Sequence, residues 1–200
     1  ISVNVMRTPF AHKTVEVVLQ SAGAGLAEDP APRSGKRLAL ALEALMRSKL
    51  RGLKNKEVHR FLCGNGVMPT EATKADVEGL CIGLQCTRGE QALGKALEYL
   101  HALLCAPVVE EGVFERLREE KASQARNAQC SVDHLAYDGM VRLATGGDAR
   151  FCSDLEGALR SVPLLDAQDG LWAALHPSLL EVIIVGDLSL SDEALHSLLL

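Results

Sequence analysis

Aromatic residues are scarce in this chain: one Trp, two Tyr and four Phe among 200 residues. A core must therefore be built mainly from Leu, Val and Ala, which are the common interior residues that remain. Long apolar runs are also absent. Leu179–Val185 is interrupted by Glu181, and no stretch approaches the roughly 18–20 apolar residues that a membrane-spanning helix needs, so no transmembrane segment is expected. Cationic excess is missing too. Twenty-one Lys and Arg face 26 Asp and Glu, for a net charge of −5. Nucleic acid and anionic membranes select the opposite balance, so neither is an expected partner. Six cysteines (Cys63, Cys81, Cys86, Cys105, Cys130 and Cys152) include no Cys-x-x-Cys pair and no His at zinc-finger spacing. They read as small buried hydrophobes of a reducing compartment, the cytoplasm or an organelle. The opening Ile1-Ser2-Val3-Asn4-Val5 lacks an initiator Met, a basic leader and a cleavage site, and suits a strand. A segment excised from a longer multidomain chain is expected.

What is present is apolar residues at 48% of the chain, enough for one well-buried domain over residues 1–200. Ile1–Val5 and Val15–Gln20 suit strands, followed by a loop through Ser21–Gly25 and the Pro30/Pro32 pair. A helix is predicted from about Lys36 to Leu50, capped by Ser34, with Leu38, Leu42, Leu45 and Met46 on one face. Asn55 can cap a second helix, with Val58, Phe61 and Leu62 inward, ending at Gly64. Leu80–Cys86 alternates with period two, and Gly79 and Gly83 leave room for a close neighbour. Thr87-Arg88-Gly89-Glu90 reads as a capping box for a helix to Cys105, with Leu93, Leu97, Leu100 and Leu104 inward. Helices over Glu110–Asn127 and after Ser131, the latter with Leu135, Met140 and Leu143 inward, come next. Ser153-Asp154-Leu155-Glu156 is a second capping box. Helices near Leu155–Arg160 and Leu164–Leu175, a strand at Leu179–Val185 and a last helix from Ser191, cut short at Leu200, complete the order. This succession fits an α+β fold: two layers, a mostly antiparallel sheet covered by helices.

Catalytic constellations are not apparent. His12 and Glu16 are four apart but sit at a strand. His59, His101 and His134 each lie on a helix without the three or four converging ligands that zinc requires. His101 has Cys105 four residues on, a pair that borders the core. His176 lies in a turn and His196 in the last helix. There is no Gly-x-Ser-x-Gly elbow and no phosphate loop. Glu110, Glu111, Glu115, Glu119 and Glu120 alternate with Arg116, Arg118 and Lys121, which reads as a solvated helix face.

Several strings, in their order and spacing, resemble the insulinase/pitrilysin family of zinc peptidases. They are Gly35 before a Leu-rich helix, Asn55-Lys56-Glu57-Val58, the helix Ala96–Cys105 closed by Pro107, Phe114–Glu120, and Val182-Ile183-Ile184-Val185-Gly186-Asp187. The resemblance covers about Ile1 to Asp187. It implies a LuxS/MPP-like metallohydrolase fold, shared with mitochondrial processing peptidase. Active members carry His-x-x-Glu-His on the first helix, two His and a later Glu binding zinc while the motif Glu activates water. The corresponding string here, Leu40-Ala41-Leu42-Glu43-Ala44, keeps only Glu43. Leu40 and Ala44 stand at the histidine positions, and no carboxylate stands at Lys121–Gln124, where the later ligand is expected.

The resemblance therefore implies a segment without catalytic residues, cofactor or metal of its own. Zinc would reside in another domain of the parent. The implied role is a non-catalytic domain of a zinc metalloendopeptidase that walls a chamber and helps bind extended peptide. Its implied partners are homologous domains of the same protein and peptide substrate. The alternative is a structural subunit resembling the inactive partner of mitochondrial processing peptidase or a respiratory core protein. A third reading is an enzyme whose site is completed by another chain.

Overall fold

The structure is a computed structural model that describes residues 1–10, 13–22, 37–50, 52–75, 79–148, 151–153, 156–188 and 190–199. His12, the Gly23–Pro32 loop, the Ser34 cap, Gly35, Asp154 and Leu155 of the second capping box, and Leu200 lie outside the described residues.

Among the described residues six strands form one sheet: β1 (Ser2–Arg7), β2 (Thr14–Ala22), β3 (Val67–Pro69), β4 (Lys74–Ala75), β5 (Gly79–Thr87) and β6 (Leu180–Gly186). Their spatial order is β1-β6-β2-β5-β3, with β4 also paired to β5. Only β1 and β6 run parallel; the other pairs are antiparallel. Eight α-helices occur among the described residues: α1 (Arg37–Arg47), α2 (Asn55–Gly64), α3 (Glu90–Cys105), α4 (Glu111–Ala128), α5 (Val132–Ala144), α6 (Glu156–Arg160), α7 (Leu164–Ala174) and α8 (Asp192–Leu199). The α+β, mostly antiparallel architecture is the expected one.

Period two explains the sheet. Val15, Val17 and Leu19 of β2 are buried, as are Leu80, Ile82, Leu84 and Cys86 of β5 and Leu180, Val182 and Ile184 of β6. Registers place these side chains opposite one another, with Val17 between Leu84 and Ile184 and Leu19 between Ile82 and Val182. Alternating Cβ directions put that whole set on one face, where the helices cover it. Each large aliphatic side chain so buried is worth about 1.5–3 kcal/mol. Gly83 performs the expected role of admitting a neighbour: a Cβ there would lie 2.6 Å from the Ala72 Cβ and would collide with the Thr70 side chain.

Local details depart from expectation in five places. Ser21 and Ala22, expected to open the loop, instead continue β2, paired with Leu80 and Gly79 of β5. Thr87 does not cap α3. It is the last residue of β5, its amide donating to the Gly66 carbonyl, and the cap residue is Gly89 at φ 141°. Residue Lys54, not Asn55, occupies the cap of α2; Asn55 instead donates its side-chain amide to the Met46 carbonyl. Phe61 is 41% exposed and lies under the Lys95 ammonium at 5.9 Å, a cation–π contact rather than core packing. Most unlike expectation, Leu135, Met140 and Leu143 are exposed, and α5 buries no residue. Its predicted Ser131 cap does form, the hydroxyl accepting from the His134 amide.

No disulfide joins any of the six cysteines. Cys86 and Cys152 are buried, and burial pushes the Cys86 thiol up to about 11. Cys63, Cys105 and Cys130 are exposed, so half of the set are not the buried hydrophobes that composition suggested.

Candidate functional site

The cleft that bears on function lies between α1, α2 and one edge of the sheet. It encloses about 450 Å³ and is walled by Ala39, Leu42, Glu43, Met46 and Arg47 of α1, with Val58, His59 and Leu62 of α2 and Pro69, Thr73, Lys74 and Ala75 at the sheet edge. The amphipathic pattern of α1 creates this wall. Leu38, Ala41 and Leu45 are buried, as are Leu40 at 3% exposure and Ala44 at 0%. Glu43 faces the cleft, whereas Leu40 and Ala44 belong to the core cluster.

Glu43 is not a free base. Its carboxylate accepts from the Lys121 ammonium at 2.8 Å and from the Arg47 guanidinium at 2.5 Å. Arg47 also pairs with Glu120 at 3.0 Å. The acidic run on α4 is thus more than a solvated face: Glu120 ties α4 to α1, and Glu119 ties it to Arg160 of α6. Arg118 donates to Glu115, the local pairing that sequence spacing indicated.

These residues do not fit a catalytic zinc. A resident dication needs converging anionic or imidazole donors, but here the lone motif carboxylate is already compensated by two cations. His59 reaches the cleft, and its ring nitrogen Nδ1 lies 3.4 Å from Cys63 Sγ. His101 Nε2 lies 3.2 Å from Cys105 Sγ, exposed rather than against the core. The spacing of His59 and Cys63, four apart on one helix, already carried that contact in the sequence. Among the described residues no three His, Cys, Asp or Glu side chains come together as a metal site.

The sheet edge beside the cleft is formed by β3 and β4, both short, with Met68 54% exposed. Such an edge presents backbone groups to a further strand. Neither strand was anticipated, since two or three residues are too few to show a period.

No family model matches the sequence, and no curated protein matches it. Solved structures do match in shape. A protease from Helicobacter pylori superposes with a TM-score of 0.77 at 17% identity, covering 98% of this chain and 46% of that one. The peptidase M16 inactive domain from Pseudomonas fluorescens gives 0.76 at 14% identity, over 98% of this chain and 46% of that one. A chain of complex III2 from Candida albicans gives 0.61 at 16% identity, over 98% of this chain and 42% of that one. The chain spans less than half of the length of each. The fold is the one these structures share, a peptidase M16 inactive domain among them.

Proposed function

We propose that the chain is a non-catalytic domain of a zinc metalloendopeptidase of the insulinase type. It forms part of a chamber wall and helps to hold extended peptide, while zinc is bound by another domain of the parent. The observation that carries this reading is Glu43, paired with two cations, on the wall of a cleft beside the β3–β4 edge of the sheet. With Lys121 and Arg47 beside it and Leu40 and Ala44 in place of imidazoles, this carboxylate has no ligand set with which to share a metal-bound water. A peptide laid along β3 and β4 would take backbone hydrogen bonds from the edge and side-chain contacts from α1 and α2, a mode tolerant of sequence. Three exposed thiols suit a reducing compartment.

The test is a binding and turnover measurement on the 200-residue chain. After zinc incubation and desalting, metal well below one equivalent, no cleavage of a fluorogenic peptide, and saturable binding of an extended peptide are expected. Stoichiometric zinc with chelator-sensitive cleavage overturns the reading. The second reading, a structural subunit, draws on the likeness to a complex III2 chain. It predicts no peptide binding at all.

A further inference from the structure

A second groove opens beside the cleft and shares Arg47 and Asn55 with it. It measures about 550 Å³, and Arg47, Lys49, Lys54, Lys56 and Arg116 line it against one carboxylate, Glu110. Five cations around one anion are unexpected in a chain of net charge −5. Part of this charge is compensated internally. Lys49 pairs with Glu110 at 2.9 Å, and Arg47 with Glu43 and Glu120. No ion pair joins Lys54, Lys56 or Arg116 to a carboxylate among the described residues. The Glu110 carboxyl is held below its ordinary value by its hydrogen bond to Lys49, and the Arg116 charge acts in the same direction. Asn55 and Lys56 begin α2 and Gly112 lies in the first turn of α4, so two helix N-termini also face the groove. Their partial positive charge adds to that of the side chains.

We infer that this groove is a carboxylate-binding subsite, in which Lys54, Lys56 and Arg116 hold an acidic end of an extended peptide whose remainder lies in the adjoining cleft. The inference rests on the peptide-binding reading and deepens it by naming the substrate class. Arg47 and Asn55 line both cavities, so the groove adjoins the cleft. All three anchoring cations are exposed, so the attraction is screened and the preference depends on salt. The carboxylate could belong to Asp or Glu side chains or to a peptide C-terminus.

The experiment is fluorescence anisotropy with the 200-residue chain and labelled twelve-residue peptides that are uncharged apart from one end. One ends in two Glu residues with an amidated C-terminus, one replaces both by Gln, and one has the Gln sequence with a free carboxylate. About tenfold tighter binding of the Glu peptide than of the amidated Gln peptide is expected at low salt, shrinking several-fold at roughly 0.3 M salt. A gain confined to the free-acid Gln peptide assigns the site to a C-terminus and supports the same carboxylate chemistry. In the variant K54A/K56A/R116A the preference should vanish, while the amidated Gln peptide keeps its affinity and the melting temperature is unchanged. Equal binding of all three peptides to the wild type, or a preference that survives in the variant, overturns the subsite and leaves the peptide-binding reading standing. Binding of none of them overturns both.

Discussion

Lys121 Nζ stands 2.8 Å from Glu43 Oε2, so that a cation from α4 rests against the carboxylate that α1 places on the cleft wall. The pair is half-exposed, with side-chain exposures of 35% and 31%. Its direct contribution to stability is therefore small, about 0.2–1 kcal/mol. Its geometric consequence is larger, because together with Arg47 it holds the Glu43 carboxylate between two cations.

Restoring the histidines of the inverted motif should not restore zinc. Leu40 and Ala44 are 3% and 0% exposed and sit in the core cluster. An imidazole at either position is buried without a designed partner, and at Ala44 it also overfills the packing. The double variant L40H/A44H should lose roughly 3 kcal/mol or more, from polar burial and overpacking together. Urea unfolding and zinc analysis check this. A stable variant with one equivalent of zinc would show that these two positions face the metal-binding side after all.

Acid sensitivity should centre on Glu156. Hydrogen bonding to Arg126, aided by the charges of Arg126 and Arg160, lowers this carboxyl from 4.5 to about 2. A folded-state value below the unfolded one means that the contribution is fully present above about pH 4.5. It is lost as pH falls through about 2, because protonation then favours the unfolded chain no less than the folded one. Asp138, lowered to about 2 chiefly by its hydrogen bond to Arg142, titrates in the same direction. Melting temperature should decline between pH 4.5 and 2, and the decline should be shallower in E156Q. An identical slope in wild type and variant assigns the acid response elsewhere.

Gly83 and Thr70 make a paired test of the β5 crossing. G83A places a methyl against Thr70 and 2.6 Å from the Ala72 Cβ, so it should destabilise by about 1–3 kcal/mol. Thr70 Oγ1 is buried without a hydrogen-bond partner. T70V removes that unsatisfied hydroxyl at similar volume and should be neutral or stabilise by up to about 1 kcal/mol. Chemical denaturation of both variants distinguishes a tight crossing from a loose one.

The sheet was legible because alternation along Val15–Leu19, Leu80–Cys86 and Leu180–Ile184 leaves one face to bury. The space at Gly83 was legible for the same reason. Caps were less so. Thr87 has the right spacing to cap α3, yet β5 continues through it to pair with Thr14, and the ladder prevailed over the local motif. The pairing of Glu43 with Lys121 joins residues far apart in the chain, and no local pattern encodes it. Nor does periodicity reveal the cation-lined groove, which is assembled from the ends of α1, α2 and α4.

The helix α5 shows what periodicity alone omits. Val132, Leu135, Met140 and Leu143 recur at helical spacing, the pattern of a buried stripe. They are nevertheless 79%, 53%, 59% and 88% exposed. Spacing identifies a face that can be buried; contact with another element decides whether it is. The consequence is measurable. L143S loses little burial in the folded chain and M140S only a part, so L143S should lie within about 0.5 kcal/mol of wild type and M140S within about 1 kcal/mol, helix-propensity changes aside. L117A, on α4 and 1% exposed, should cost about 2–5 kcal/mol. A loss at Leu143 comparable to that at Leu117 would mean that α5 is covered in solution, by the chain itself or by another copy. Measuring the Leu143 variant at two protein concentrations separates these cases, since only an intermolecular contact makes the loss depend on concentration.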